Sequence, residues 1–298
     1  MKGNTTRLSM LALIPLAVTS LTSNSQRVCL ITGSNKGIGK EITRKLGSEK
    51  DTLCILGCRN EQLGRATVDE LKAEGCNVVF VKIDLDEVST IEPAKKFIED
   101  NYGCCDILIN NAAVCFNDPT LYGKVPHTPF DKQADITVTT NFFGTLALTR
   151  AMLPLLRKST SPRIINIASS AGRLSILPSR ERREAFSSDT LKIEELAGFM
   201  RDFIADARDG THAEKGWPNT GYGVSKVGII ALTKILAREE ALFMCNSVDP
   251  GYCQTDQNNN QGFVSAERGA LTPFLLATLP DDQFFSGVHW YEEKAIAW

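Results

Sequence analysis

Short apolar segments alternate with longer amphipathic segments along most of the chain. The apolar runs stand at residues 28–32, 52–57, 78–83, 107–110 and 164–168. Between them, segments with helical spacing lie at residues 38–46, 61–74, 90–101 and 137–156. Short strands that are apolar on both faces and separated by helices are typical of a parallel sheet covered on both sides. With right-handed crossovers, the pattern predicts an α/β fold with a doubly wound parallel sheet.

The pattern contains no internal repeat and no interdomain linker, so we expect one domain over residues 25–298. Residues 1–24 stand apart because they contain Lys2 and Arg7 but no acidic residue. The apolar stretch 8–18 is too short to span a bilayer. This extension resembles a weak targeting sequence for an organelle or the secretory pathway. An N-terminal extension with no targeting role explains its composition equally well. No other stretch is long and apolar enough to form a membrane span.

Composition narrows the classes of function. The 298 residues are 43% hydrophobic and 23% charged, which is typical of a globular protein. Because 33 basic residues are balanced by 35 acidic ones, the charge predicts no nucleic-acid partner. With three histidines, we expect no metal site. The nine cysteines, an odd number, favour reduced core thiols over a disulfide framework, and this indicates a cytoplasmic protein.

A glycine-rich turn follows the first apolar run, with the sequence Thr-Gly-Ser-Asn-Lys-Gly-Ile-Gly at residues 32–39. Glycines allow a tight turn and let the backbone approach a pyrophosphate, and the next helix offers unpaired N–H groups at its N-terminus. A plain glycine turn is the alternative. The position between the first strand and a helix favours dinucleotide binding.

The end of the second apolar run indicates which dinucleotide binds. An NAD site would place a carboxylate about 20 residues beyond the glycines. This sequence instead has Gly57-Cys58-Arg59 there, and it carries Lys36 in the turn itself. Two cations without a carboxylate fit a 2′-phosphate, so we predict NADPH/NADP as the cofactor. Asp84, after the third run, is placed either to accept a hydrogen bond from the adenine or to cap the next helix.

Tyr222 and Lys226 lie four residues apart at the start of a strongly apolar helical stretch. Residues i and i+4 share one face of a helix, so both side chains can reach one site. A nearby ammonium and a cationic nicotinamide both favour the phenolate, and we expect them to lower the pKa of Tyr222 from about 10. A tyrosine tuned in this way can donate a proton to a carbonyl oxygen.

Over residues 26–298 the chain resembles the short-chain dehydrogenase/reductase superfamily. Its motifs occur here in the family's order: the glycine turn, Asn110-Asn111-Ala112-Ala113, Asn141-Phe142-Phe143-Gly144, Asn166-Ile167-Ala168-Ser169, Tyr222-x-x-x-Lys226 and Asp249-Pro250-Gly251. Within the superfamily, the chain is most similar to the monomeric NADPH-dependent carbonyl reductases. That similarity is carried by residues 35–39 and 140–145, by Gly216-Trp217-Pro218, and by the closing Glu292-Glu293-Lys294 with Trp298.

The resemblance implies a Rossmann fold and a role for each matching residue. Tyr222 would be the general acid, and Lys226 would hold the nicotinamide ribose and lower the pKa of Tyr222. Ser169 would orient the substrate oxygen, and it is preferred over Ser170 because the Ser-x-Ala-Gly pattern begins there. Asn141 would keep a water in a proton relay from Lys226. The residues implied to contact the cofactor are Gly33, Asn35, Lys36, Gly37, Ile38, Gly39, Arg59, Asp84, Leu85, Asn111, Tyr222, Lys226, Pro250, Gly251, Cys253 and Thr255.

An insertion at about residues 173–218 precedes Tyr222. Ser169 and Tyr222 are 53 positions apart, which is far more than is usual in the superfamily. Within the insertion, apolar residues at helical spacing over 196–207 predict an amphipathic helix. In the monomeric reductases a matching insertion covers the helix face used elsewhere for oligomerisation, so the resemblance implies a monomer. Packing of this helix on the chain's own core explains the apolar stripe as well.

Some positions depart from the family pattern. Ala113 replaces the final glycine of Asn-Asn-Ala-Gly, which is tolerated if its φ is negative. Residues 239–246 leave little room for a helix end, a loop and a strand, which puts the sixth strand in doubt. Asp249 stands where an apolar or small residue is commoner, and Gln254 stands where arginine is more usual.

Together these observations predict NADPH-dependent reduction of ketone, aldehyde or quinone carbonyls to alcohols by hydride transfer. The alternatives are an alcohol or hydroxysteroid dehydrogenase of the same fold and a non-catalytic NADPH-sensing protein. The expected partner is a small carbonyl substrate. Cys115 is a candidate reactive thiol. Candidate apolar walls for the substrate are Phe116, Trp217, Tyr252 and Phe263.

Overall fold

Eight strands form one sheet in the part of the chain described by a computed structural model, residues 26–116 and 128–298. They are β1 (Arg27–Thr32), β2 (Thr52–Cys58), β3 (Val78–Lys82), β4 (Ile107–Asn110), β5 (Arg163–Ile167), β6 (Met244–Asp249), β7 (His289–Tyr291) and β8 (Lys294–Ile296). Their spatial order is β3-β2-β1-β4-β5-β6-β7-β8. Every neighbouring pair is parallel except β7 and β8, which form an antiparallel hairpin. The extension predicted at 1–24 lies outside the described residues.

Helices cover both faces of the sheet. Those of the described residues are α1 (Gly37–Gly47), α2 (Glu61–Ala73), α3 (Ile91–Tyr102), α4 (Phe130–Val138), α5 (Thr145–Leu156), α6 (Arg180–Phe186), α7 (Ile193–Arg208), α8 (Gly221–Glu239), α9 (Ala266–Gly269) and α10 (Leu271–Thr278). The strands separate two apolar clusters, one beneath α3, α5, α7 and α8 and the other beneath α1, α2 and α10. The predicted doubly wound α/β fold is therefore confirmed, and no described helix is long and apolar enough to cross a membrane.

The strand order reverses beside β1, because the chain leaves β1 toward β2 on one side and returns to β4 on the other. At such a switch point the loops after the two strands turn in opposite directions and leave a crevice at the carboxyl ends of the strands. The glycine turn follows β1, and Asn111 follows β4. The topology alone therefore brings the first two sequence motifs to one crevice.

The long helix expected over 137–156 has a different form. It begins earlier, at Phe130, and a π-helical segment over Thr139–Gly144 separates α4 from α5. The side chain of Asn141, inside this segment, bonds to the backbone of Val114 and to Ser225. Such wide turns are frequent at functional sites. The expectation of one regular helix was wrong because these partners are distant in the sequence.

The doubt about the sixth strand was also wrong. Strand β6 forms over its full length with every residue buried between β5 and β7. The connection from α8 needs few residues because Glu240 closes a tight turn, in which the backbone N–H of Phe243 donates to the carbonyl of Glu240 at 2.8 Å. The carboxylate of Glu240 also bonds to the Arg157 guanidinium on the end of α5.

Two helices stand within the predicted insertion. The amphipathic stripe expected over 196–207 lies on α7, whose Leu196, Met200 and Phe203 are fully buried. Helix α7 packs on α4 and α8. The contact with α8 is close, since a Cβ at Gly228 would lie 2.9 Å from the Met200 sulfur. The insertion therefore covers α8, which carries Tyr222.

Candidate active site

The turn after β1 has the backbone that its glycines permit. Gly33 and Gly37 adopt φ values of +62° and +54°, in the left-handed region that favours glycine. Helix α1 begins at Gly37 without a side-chain cap from Lys36 and without an acidic residue in its first turn. Its first N–H groups and the positive end of its dipole are therefore available to an anion.

A cleft of about 210 Å³ opens above this turn at the sheet's switch point. Of the residues predicted to contact the cofactor, it is lined by Gly33, Asn35, Lys36, Gly37, Ile38, Arg59, Asp84, Leu85, Asn111 and Thr255. Gly39 lies behind the turn, where a Cβ would be 2.6 Å from the Gly33 carbonyl oxygen. Pro250 lines a separate shallow depression that Gly251 adjoins, and Cys253 is buried with its thiol donating to the Pro250 carbonyl.

The two predicted phosphate-binding cations are not free of carboxylates, which corrects the expectation. The Lys36 ammonium lies 2.9 Å from the Asp256 carboxylate, and the Arg59 guanidinium lies 3.9 Å from that of Asp86. Both acids line the cleft and both are distant in sequence from their partners, so the local pattern missed them. All four side chains are at least 43% exposed, and exposed pairs of this kind are worth only about 0–1 kcal/mol.

Asp84 does not cap a helix, which removes one of its two alternatives. The residue preceding α3 is Thr90, and Glu87 precedes the short 3₁₀ turn before it. The Asp84 carboxylate instead accepts the backbone N–H of Asp86 at 3.1 Å. Asn111 supports the turn, since its Nδ2 donates to the carbonyl oxygens of Thr32 and Gly33.

Three of the predicted catalytic residues converge where β5 ends and α8 begins. The Ser169 hydroxyl hydrogen-bonds with the Tyr222 phenol and also accepts the backbone N–H of Ala171 at 3.2 Å. The Lys226 ammonium lies 5.6 Å from the centre of the Tyr222 ring and donates to the Ile167 carbonyl at 2.7 Å. The adjacent Ser170 is exposed.

Burial dominates the protonation of this group. It raises the pKa of Tyr222, and the hydrogen bond from Ser169 opposes that rise. Burial also lowers the pKa of Lys226 to about 8. The expectation that Lys226 lowers the pKa of Tyr222 is therefore wrong for the chain's own groups. The physical reason is that the ammonium lies over the phenol ring and bonds to a carbonyl of β5, while both residues share a dry site.

Asn141, the fourth predicted catalytic residue, links two segments of the site through hydrogen bonds of its side-chain amide. Its Nδ2 donates to the Val114 carbonyl at 2.9 Å and to the Ser225 hydroxyl at 3.1 Å. Its Oδ1 accepts the backbone N–H of Val114 at 2.8 Å. The amide thus ties the segment after β4 to α8, next to Lys226. Its predicted part in a proton relay stays a prediction.

This arrangement matches a known family. The sequence profile described as short chain dehydrogenase matches residues 27–178. The chain belongs to this family. Among curated relatives, it is 38% identical to carbonyl reductase [NADPH] 1 of Mus musculus over 87% of this chain and 94% of that protein. It is 37% identical to carbonyl reductase [NADPH] 1 of Bos taurus over 93% of this chain and 100% of that protein.

Solved structures of the family agree. Salutaridine reductase from Papaver somniferum superposes with a TM-score of 0.80 at 30% identity, over 89% of this chain and 99% of that one. Menthone neomenthol reductase from Mentha piperita gives 0.78 at 29% identity, over 90% and 99%. These likenesses confirm the family identified from the sequence motifs.

A second cavity of this family member, about 430 Å³, is lined in part by Tyr222. Among its walls are Phe116, as predicted, and three residues that the sequence did not indicate: Phe130, Gln133 and Asn219. Phe130 and Gln133 belong to α4, whose early start the periodicity missed. The cavity therefore borders Tyr222, and its described walls include no residue of the glycine turn.

The other predicted walls lie elsewhere. Trp217 is buried within the insertion, where its indole N–H donates to Asp206 and the Arg182 guanidinium lies 3.6 Å above its ring, so its prediction as a wall was wrong. Tyr252 and Phe263 are exposed and pack edge to face with ring centres 5.7 Å apart. Burial raises the pKa of the Cys115 thiol, which does not favour a reactive thiolate.

Proposed function

We propose that the protein reduces the carbonyl group of a ketone, aldehyde or quinone to an alcohol, with NADPH as the hydride donor. The observation that carries the proposal is the convergence of Tyr222, Ser169 and Lys226, with Tyr222 lining a cavity that has aromatic walls. The cleft at the glycine turn is a separate site that suits the cofactor. The names of the mouse and cattle relatives support the class, an NADPH-dependent oxidoreductase, and agree with the cofactor expected from the sequence.

The described residues fit this cofactor. The uncapped N-terminus of α1 and the side-chain-free backbone at Gly33 and Gly37 suit a pyrophosphate. Lys36 and Arg59 suit a 2′-phosphate, because a doubly charged anion can displace carboxylates from weak, exposed ion pairs. When bound, NADPH supplies the hydride that is transferred to the carbonyl carbon.

The chain's own residues supply the proton. Tyr222 donates its phenolic proton to the substrate oxygen as negative charge develops there, and the Ser169 hydroxyl donates a hydrogen bond to the same oxygen. Burial makes the phenol a weak acid, so the proton moves only as negative charge develops on a substrate oxygen within hydrogen-bond reach of the phenol. Lys226, whose pKa burial lowers to about 8, is the nearby group that returns a proton to the phenolate after the transfer.

The test replaces Tyr222 with phenylalanine. General acid catalysis contributes about 10²–10⁴-fold to a reaction rate. The kcat of Tyr222→Phe with menadione or an aromatic aldehyde should therefore fall by about 10²-fold or more. NADPH binding, followed by its fluorescence, should persist. Tyr102→Phe, on α3 far from the site, is the matched control. Normal turnover by Tyr222→Phe would refute the assignment, and tight NADPH binding without turnover by the wild-type protein would favour a non-catalytic NADPH sensor.

We also propose that the protein acts as a monomer in the cytoplasm. The apolar face of α7 is covered by α4 and α8, so this element leaves α8 no open apolar face for a second copy. All nine cysteines are free, and seven of them are buried, as in a protein of a reducing compartment. Light scattering coupled to gel filtration should give the mass of one chain, and a dimer mass would refute the monomer.

A further inference from the structure

The second cavity, which Tyr222 lines, contains a side-chain amide that the proposed mechanism does not use. Asn219 stands three residues before Tyr222, in the loop leading to α8, and lines this cavity. Its Oδ1 lies 2.5 Å from Nε2 of His212. His212 in turn packs on Phe130, another wall of the cavity, with ring centres 4.6 Å apart.

The environment of His212 determines whether its Nε2 donates or accepts in this hydrogen bond. The other ring nitrogen, Nδ1, is buried and has no hydrogen-bond partner among the described residues. A buried N–H without an acceptor would cost about 1–3 kcal/mol, so a proton on Nδ1 is disfavoured. The proton therefore belongs on Nε2, which donates to Oδ1 of Asn219.

This direction leaves Nδ2 of Asn219 with two hydrogens to donate. Among the described residues nothing accepts them, whereas the neighbouring amide of Gln133 already donates to the Thr128 carbonyl at 2.6 Å. The cavity, whose walls also include Tyr222, Phe116 and Phe130, thus offers an amide donor at an exposed residue that no other described group engages.

We propose that Asn219, oriented by His212, makes the enzyme prefer aromatic carbonyl substrates that carry a second oxygen acceptor besides the carbonyl that is reduced. The aromatic walls bind the ring of such a substrate, and Nδ2 of Asn219 donates to the second oxygen. Here Asn219 touches substrate, and His212 is a positioning residue. This inference rests on the proposed carbonyl reduction and narrows its substrate class.

The experiment measures a ratio of kcat/KM values, so that the intrinsic reactivity of each aldehyde cancels between variants. The substrates are the 2-, 3- and 4-isomers of methyl formylbenzoate, whose ester oxygen is the second acceptor, and the size-matched isobutylbenzaldehydes, which lack it. Asn219→Leu should lower the ester-to-isobutyl ratio by about 2- to 13-fold for at least one isomer, the range of one neutral hydrogen bond. Activity with the isobutyl compounds should persist and show that the variant folds.

His212→Phe tests the positioning step, since it keeps a ring against Phe130 and removes the Nε2–H donor. It should lower the ratio for the same isomer, and the double variant with Asn219→Leu should fall no further than Asn219→Leu alone. Unchanged ratios for all isomers in Asn219→Leu would overturn the selection by Asn219, and additive losses would overturn the orientation by His212. If the wild-type protein reduces neither series with NADPH, the proposed function itself fails, which is a distinct result.

Discussion

Replacing Gly39 with alanine would place a methyl group where α1 meets the glycine turn. The new Cβ would lie 2.5 Å from Nδ2 of Asn111 and 2.6 Å from the carbonyl oxygen of Gly33. Neither neighbour can yield freely, because the Gly33 oxygen is backbone and Asn111 is held by its bonds to Thr32 and Gly33. The methyl group must therefore displace the turn that we propose binds the pyrophosphate.

The expected cost follows from these contacts. Overpacking costs about 1–3 kcal/mol, each weakened Asn111 hydrogen bond adds about 0.5–1.5 kcal/mol, and the better helix propensity of alanine offsets about 1 kcal/mol. The free energy of unfolding should fall by about 2 kcal/mol, which for a chain of this size lowers the melting temperature by about 3 °C. NADPH affinity should fall as well, since the turn is displaced in the folded protein.

Thermal unfolding and NADPH fluorescence titration measure both effects. Gly198→Ala on α7 is the matched control, because nothing lies within 4 Å of its added methyl group and the gain in helix propensity should stabilise by up to about 1 kcal/mol. The reasoning is refuted if Gly39→Ala binds NADPH with wild-type affinity and melts within about 1 °C of the wild-type protein.

Three further changes test other parts of the site. Arg59→Asp should lower the ratio of kcat/KM with NADPH to that with NADH by about tenfold or more, because a second carboxylate beside Asp86 repels a 2′-phosphate; an unchanged ratio would reject the role of Arg59. Lys226 binds fewer protons in the folded than in the unfolded protein between pH 8 and 10.5, so wild-type stability should rise relative to Lys226→Met across that window in urea titrations, and a constant difference would contradict the lowered pKa. Trp298→Phe removes an indole hydrogen bond to the carbonyl of Gly172, which lies beside Lys226. The free energy of unfolding should fall by about 0.5–1.5 kcal/mol in the same titrations, and kcat should fall as well. If both stay unchanged, this hydrogen bond does not stabilise the site.

The sheet could be predicted from the sequence because its signals are local. A run such as residues 107–110 is apolar on both faces, and the structure gives β4 the same bounds. The glycine turn was predictable as well, because the turn needs positive φ values at Gly33 and Gly37, and glycine adopts such values readily. The Tyr222–Lys226 pair was predictable because one helical turn separates its members.

The errors share a different cause, which is that each depends on a partner remote in the sequence. The π-helical segment around Asn141 requires Val114 and Ser225, and the burial of Trp217 requires Asp206. Likewise, no local pattern places Asp256 beside Lys36. The protonation of the site depends on how deeply several elements bury it together, and a sequence does not state that depth.

The bond from Lys226 to the Ile167 carbonyl has an evolutionary consequence. It anchors the ammonium to a central strand of the sheet, which is the part of the molecule least free to change. The walls of the second cavity come instead from Phe116, from α4 and the two residues before it, and from the start of α8 and the loop before it. Mutations in these walls can change which substrates bind, while the residues that transfer the proton stay in place. Relatives with this fold can therefore evolve new substrate preferences and keep the same reaction.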